Sequence, residues 1–174
     1  MSVLVELFIR RFSPECILKL VQDERLSVKS LQDAVLFYFG HENEVGWEAI
    51  ATLTWKNQFI QYVAATPMSD AVSELIDNIL RRVDVNQYNG GSRANDGRVL
   101  YIRETLLQMV LRQFLKKANG SQEDSLSKKE DRSISALMYV ITHLLEHPHI
   151  DVNRKNSDGI STIEYLAFYD LETH

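Results

Sequence analysis

The sequence predicts an all-α fold made of stacked helix-turn-helix units, and three observations support this. The chain has 174 residues but only seven glycines and three prolines, too few for a fold rich in tight β-turns. Its apolar residues recur at intervals of three and four, the spacing of one helix face. An Asp-Val-Asn triplet occurs twice, at residues 84–86 and 151–153, each time after a helical pattern. Repetition of this kind indicates a copied and stacked unit.

Three helices are predicted in residues 1–40. Val3, Leu4, Leu7 and Phe8 lie at helical spacing in the first of them. The second begins at Ser13-Pro14, a serine cap followed by a proline at the first helical position. The third is capped by Ser27 or Ser30, continues through Phe39 and ends at Gly40. This region is either a divergent capping repeat or a separate helical start, and the sequence leaves both open.

The helix that precedes the first triplet has the most regular pattern in the chain. We expect it to begin at Thr66-Pro67 and to end at Arg81-Arg82, whose cations suit a helix C-terminus. Its apolar positions follow one face without a fault: Val72, Leu75, Ile76, Ile79 and Leu80.

The helix that precedes the second triplet ends before Pro148, since proline disfavours helix at the residue before it. The side chains predicted to be buried on this helix are Ile134, Leu137, Met138, Ile141, Leu144 and Leu145. The second triplet is followed by a turn at residues 156–159, in which Gly159 can adopt a positive φ. A further helix is expected from Ser161 onward.

The two triplets are 67 residues apart (86 and 153), although only two good helices lie between them. The excess length is assigned to two insertions. Residues 87–100 are interpreted as an enlarged finger loop, and residues 118–132, polar and charged, are predicted to form a mobile loop.

Residues 141–167 resemble the ankyrin repeat. Leu144-Leu145 stands at the end of the outer helix, Asp151 opens the next unit, and Asp158-Gly159 precedes the helix start, where Thr162-Ile163 replaces the usual Thr-Pro. Weaker copies lie at residues 46–54 and 104–110, so the resemblance covers about residues 46–168. The chain length and 45% hydrophobic content fit one domain, residues 1–174, in which N-terminal helices at 1–40 precede divergent repeats at 41–174.

The resemblance implies a protein-binding module without chemistry of its own, which contacts its partner through finger loops and inner helices. The expected partner-binding residues are Tyr88, Arg93, Arg98 and Tyr101 on the enlarged finger, followed by Trp47 and Trp55. Trp55 is at helical spacing from Phe59 and Tyr62, a series that is more typical of a core. Divergent repeats with insertions are also similar to those of effectors that intracellular bacteria deliver into host cells. The expected location is cytoplasmic, or the host cytosol for such an effector.

Two alternatives remain open at this stage. The chain could be a regulatory or targeting domain of a larger or multi-component enzyme or of a bacterial effector. It could also be a small helical enzyme that uses Cys16 or the histidine-rich segment His143, His147, His149 and Asp151. The apolar neighbours of Cys16 predict burial rather than catalysis, and the histidine segment lacks a His-Glu-x-x-His pattern.

Composition excludes other function classes. A net charge of −5 and a pI near 5.5 disfavour nucleic acid and anionic membranes as partners. Cys16 is the only cysteine, which excludes an internal disulfide and fits a reducing compartment. No apolar run reaches the ~18 residues of a membrane span, and the absence of a glycine-rich phosphate loop predicts no nucleotide cofactor.

We expect the protein to need no metal, because the histidine-rich segment fits a turn after a helix. Chelator treatment should leave the thermal midpoint of unfolding unchanged, and elemental analysis should find less than one equivalent of zinc. A fall of several degrees on chelation would contradict this expectation and return attention to His143, His147, His149 and Asp151.

Overall fold

A computed structural model describes residues 2–39, 56–89, 92–93, 99–101, 103–120, 128–164 and 166–167. This part of the chain is mostly helical, as predicted. Its helices are α1 (Val3–Ile9), α2 (Pro14–Gln22), α3 (Val28–Leu36), α4 (Gln58–Ala65), α5 (Asp70–Leu80), α6 (Leu106–Gly120) and α7 (Lys128–Leu145). Two short antiparallel ribbons accompany them, formed by β1 (Tyr38–Phe39) with β2 (Lys56–Asn57) and by β3 (Ser92–Arg93) with β4 (Val99–Tyr101). A last helical stretch occupies residues 162–167, of which 165 is not described.

The first five helices begin at a side chain that accepts a hydrogen bond from the backbone N–H three residues later. The caps are Ser2, Ser13, Ser27, Asn57 and Ser69. These bonds satisfy N–H groups that have no partner inside the helix. The predicted Ser13-Pro14 start of α2 is confirmed, and Ser27 rather than Ser30 caps α3.

The predicted start of α5 at Thr66-Pro67 is wrong by three residues. The Thr66 hydroxyl donates to the Tyr62 carbonyl at the end of α4, over 2.7 Å, so Thr66 closes one helix instead of opening the next. Ser69 takes the capping position of α5, accepting from Val72 N at 3.3 Å.

Two further boundaries differ from the prediction. Helix α3 ends at Leu36, and Tyr38 and Phe39 pair with β2, since aromatic residues suit strands. The predicted loop at 118–132 is helical at both ends, because α6 continues to Gly120 and α7 begins at Lys128. Alanine, lysine, glutamate and arginine are strong helix formers, and they occupy these ends. The predicted mobility of the remaining residues, 121–127, lies outside the described part of the chain.

The helices pack in two rows. In one row α1 contacts α4, and α4 contacts α6; in the other, α2 contacts α5, and α5 contacts α7. Helix α7 also packs on α4 and α6, while α3 lies against α1 and α4. Arg82, just after α5, donates from its guanidinium to the carbonyls of Val21 and Leu26. The N-terminal helices therefore belong to the same stack as α4 and α5.

The core runs along the contact between the rows. All five predicted positions of α5 are buried, so its helical pattern is confirmed. Phe59 and Tyr62 are buried beside Phe8, with ring centroids 5.6 and 5.4 Å away, which confirms a core role for these two aromatics. Burial raises the pKa of Tyr62 to about 12, although the hydrogen bond with the Thr66 side chain opposes this shift. Trp55 lies outside the described residues.

The predicted stripe on α7 is only partly right. Leu137, Ile141 and Leu144 are buried, but Met138 is 43% exposed and Leu145 is 52% exposed. The buried face includes Ala136 and Val140 instead, because α4, α5 and α6 all pack against that side of α7. Ile134 is partly buried. Two adjacent leucines thus have opposite environments.

This difference can be measured by alanine substitution of each leucine. Leu144→Ala should lower the free energy of unfolding by about 2–5 kcal/mol, because it removes methyl groups from a packed core. Leu145→Ala, the matched control, should change it by no more than about 0.5 kcal/mol. Urea denaturation of both variants measures the change in free energy of unfolding. Equal losses would show that the buried face of α7 has been wrongly assigned.

Candidate interaction surface

The two Asp-Val-Asn triplets form the same turn. In the first, Asp84 Oδ1 accepts from Asn86 N at 3.0 Å, and in the second Asp151 Oδ1 accepts from Asn153 N at 3.1 Å. Asp23 makes the equivalent bond after α2, accepting from Arg25 N at 2.9 Å. An aspartate that bonds two residues ahead in this way is a typical turn former. The sequence repetition therefore corresponds to a repeated local structure.

Amide side chains connect these turns to their neighbours. Gln32 of α3 accepts from Asp84 N at 2.6 Å and donates to Asp84 O at 3.1 Å. Asn86 accepts from Asp151 N at 2.8 Å and donates to His149 O at 2.5 Å. Each amide uses both its oxygen and its nitrogen on backbone groups of the next turn. Gln32 thereby attaches helix α3 to the first turn, and Asn86 attaches the first turn to the second.

Each Asp-Val-Asn turn leads to a finger that is closed by an asparagine. Asn89 N donates to Glu104 O, and Asn89 Oδ1 accepts from Glu104 N, both at 3.0 Å. Asn156 makes the same two bonds with Ile160, at 2.9 and 3.0 Å. The first finger contains the β3–β4 ribbon, whereas the second is a tight turn in which Gly159 has the predicted positive φ, 79°. One closing device therefore serves a long finger and a short one.

A helix begins directly after each finger through a reciprocal cap. Thr105 N donates to Gln108 Oε1 and Gln108 N donates to Thr105 Oγ1, at 2.9 and 3.4 Å. Ser161 and Glu164 repeat this arrangement at 2.7 and 3.3 Å. The hydrogen bonds from Ser161, with a smaller contribution from Lys155, lower the pKa of Glu164. The helix starts predicted at residues 104–110 and at Ser161 are confirmed.

The two fingers are held side by side. Ser157 N donates to Arg103 O and Arg103 N donates to Ser157 Oγ, both at 3.1 Å. Gln108 Nε2 reaches the carbonyls of Arg154 and Ile160 at 3.0 and 3.3 Å. The fingers thus form one connected surface rather than two independent loops.

Tyr88 lies at the junction of the fingers. Its hydroxyl donates to Lys155 O at 2.5 Å, and its ring contacts the guanidinium groups of Arg103 and Arg154, whose Cζ atoms are 5.1 and 4.5 Å from the ring centroid. Arg103 and Lys155 are exposed, while Tyr88 and Arg154 are half-buried. We call these four residues the tyrosine–arginine cluster.

Of the other predicted partner-binding residues, the structure describes only Arg93 and Tyr101. Arg93 lies in β3 and Tyr101 in β4, where the register pairs Ser92 with Tyr101 and Arg93 with Val99. Both therefore belong to the ribbon of the enlarged finger. Arg98, Trp47 and Trp55 lie outside the described residues, as does the weak repeat start at residues 46–54.

Sequence reasoning missed Arg103, Arg154 and Lys155. Arg154 and Lys155 directly follow the second Asp-Val-Asn triplet, and Arg103 precedes the helix start at residues 104–110. The sequence signal that could have identified these residues was their position beside the repeated turns and helix starts. Their convergence on Tyr88, up to 67 residues away in sequence, has no local sequence signature.

The fold does not bring together the residues of the two alternative enzymatic sites, Cys16 and the histidine-rich segment. Cys16 is exposed near the start of α2, so its predicted burial is wrong; the apolar side chains of α2 turn toward α5, whereas Cys16 lies on the opposite side. His143 Nδ1 is 2.9 Å from Tyr139 O and its Nε2 is 3.7 Å from Asp77, whereas His147 accepts from His149 N in the following turn. No group of three potential metal ligands is found among the described residues.

No family model, curated protein sequence or solved structure matches this chain. The described helices also include none that is long and apolar enough to cross a bilayer. The function must therefore be inferred from the geometry of the turns and fingers.

The amide links between turns can be tested with a matched pair of variants. Asn86→Ala removes two hydrogen bonds to the next turn and should lower the free energy of unfolding by about 1–3 kcal/mol. Asn153→Ala changes the same position of the second triplet, where the described structure has no side-chain hydrogen bond, and should have little effect. Similar losses for both variants, measured by urea denaturation, would contradict the proposed link.

Proposed function

We propose that this chain is a non-enzymatic protein-binding module built of divergent ankyrin-like repeats. It contacts a protein partner through the fingers and the adjoining face of the inner helices. The observation that supports this most directly is the tyrosine–arginine cluster, in which Tyr88 is fixed by a hydrogen bond and two cation–π contacts. Tyrosine and arginine are the residue types that most often dominate binding energy at protein interfaces.

The order of the surface supports the same proposal. Hydrogen bonds between the fingers, such as the pair between Arg103 and Ser157, restrict the backbone before any partner arrives. A surface that is already ordered loses less conformational entropy on association, so more of the contact energy appears as affinity. The helices bury their apolar faces against one another, which leaves the fingers free to vary.

The surroundings of the residues in the alternative enzymatic sites are also consistent with a non-catalytic role. His143 is engaged with Tyr139 and Asp77 on the contact between α5 and α7, and the described structure gives the Cys16 thiol no hydrogen-bonded base. A nucleophilic cysteine requires a base or a strongly perturbed pKa. We further propose a cytoplasmic location, or the host cytosol if the chain is a bacterial effector.

The proposal is tested by identifying a partner and then weakening the finger. Proteins captured from a eukaryotic cytosolic lysate would be identified by mass spectrometry, and the affinity of the purified partner measured by calorimetry. The double variant Tyr88→Ala, Arg93→Ala should lose more than about 1 kcal/mol of binding free energy, the range of interface hot spots.

Two controls separate binding from folding. Circular dichroism should show that the helices persist in the double variant, and Tyr88→Phe isolates the hydrogen bond to Lys155 from the ring. Lys19→Ala, an exposed change on α2, should leave the affinity unchanged. Unaltered affinity in the double variant would exclude the finger and move the search to the segment that contains Trp47 and Trp55.

A further inference from the structure

The tyrosine–arginine cluster has a charge arrangement that the fold itself does not require. The guanidinium groups of Arg103 and Arg154 both contact the ring of Tyr88, which places two positive charges close together. Like charges around one ring repel each other, since Coulomb energy near a protein surface is only partly screened. Lys155, next in the chain, adds a third cation. The cluster therefore gathers three cations around Tyr88, although the chain as a whole carries −5 and three carboxylates lie in the adjoining segments.

Neither arginine has a carboxylate partner in the described part of the chain. The salt bridges found there join other residues: Arg10 with Glu6, Arg25 with Asp23, Lys29 with Asp33, Arg112 with Glu104, and His143 with Asp77. Arg154 Nε is buried and without a hydrogen-bond partner within the same residues. Cation–π contact uses the flat face of a guanidinium, so it does not consume the N–H groups along its edge.

Two of the neighbouring acidic side chains are used in other ways. Asp151 accepts from Asn153 N inside its turn, and Glu164 accepts from Ser161 N in the cap of the last helical stretch. The backbones that carry the two arginines are also held in place. Arg103 is bonded to Ser157, and the Arg154 carbonyl accepts from Gln108. The cluster thus combines a fixed position with unpaired guanidinium donors.

We infer that the tyrosine–arginine cluster binds acidic side chains of a protein partner, with Arg103 and Arg154 donating to carboxylate oxygens. A guanidinium edge matches a carboxylate through two parallel hydrogen bonds. A singly charged carboxylate fits better than a doubly charged phosphate, because Asp151, Asp158 and Glu164 lie in the same turns and fingers and limit the local positive potential. This inference rests on the proposed protein-binding function and adds the chemistry of the partner.

The test uses the whole protein and a defined probe, a capped ten-residue peptide in which glutamate alternates with glycine. Binding would be followed by NMR from the backbone amides and the arginine Nε–H signals. We expect the signals of Arg103 and Arg154 to shift as the peptide is added, and a matched peptide with glutamine in place of glutamate to cause no shift. A phosphoserine version of the peptide distinguishes carboxylate from phosphate recognition.

Paired variants separate a local site from overall charge. Arg103→Gln, Arg154→Gln should weaken binding of the glutamate peptide at least fivefold, about 1 kcal/mol. The control Arg10→Gln, Arg25→Gln makes the same change in net charge at exposed arginines that already have acidic partners, and should weaken it less than twofold. The double variant Arg103→Lys, Arg154→Lys keeps the charge but loses the two-pronged guanidinium edge. Its affinity for the glutamate peptide should lie between those of the two glutamine double variants.

The possible results distinguish a failure of this inference from a failure of the proposed function. Equal losses in the two glutamine variants, or no shift with the glutamate peptide, would overturn the inference, as would tighter binding of the phosphoserine peptide. If these results came with a protein partner whose affinity still depends on Tyr88 and Arg93, the proposed function would stand and only the acidic chemistry would fail. A lysine variant that binds as weakly as the glutamine variant, with an unchanged amide spectrum, would assign the effect to the donor edge and support the inference.

Discussion

Hydrogen bonds from amide side chains to the backbone of the next turn fix the geometry on which this structure depends. Gln32 bonds both backbone groups of Asp84, and Asn86 bonds the backbone around Asp151. A turn exposes N–H and C=O groups that need partners, and an asparagine or glutamine side chain supplies one of each kind. The helices before each turn are thereby placed in register with those of the next unit, and so are the fingers after it.

The packing of apolar helix faces stabilises the arrangement that these hydrogen bonds set. The first five helices have only 7–11 residues, and helices of this length are marginal alone in water. Their stability comes from apolar faces buried between the two rows, as for Leu75 and Ile76 on α5 or Leu144 on α7. The buried polar side chain of Asn57 is satisfied inside this assembly, since it donates to Val35 O and accepts from Ile60 N.

Features determined by neighbouring residues were predictable from the sequence, whereas features determined by distant contacts were not. The buried face of α5, the Ser13 cap and the positive φ of Gly159 each depend on a few adjacent positions. The exposure of Leu145 depends on which side of α7 the other helices cover, and two adjacent leucines look alike in a sequence pattern. Of the candidate site, only Tyr88 was named in advance with a described side chain. Its arginine neighbours come from other segments, brought near by links such as that between Tyr88 and Lys155.

The shared closure of the two fingers has an evolutionary consequence. Asn89 joins residues 15 positions apart, whereas the same bonds from Asn156 span four positions, and the helix start that follows is alike in both cases. Lengthening a closed loop costs little free energy, about 0.6 kcal/mol for each doubling, so the anchoring asparagine can tolerate inserted sequence. Mutation can therefore diversify the segment between the anchors while the scaffold is inherited unchanged. Foreign peptides grafted at this position should be displayed without redesigning the helices.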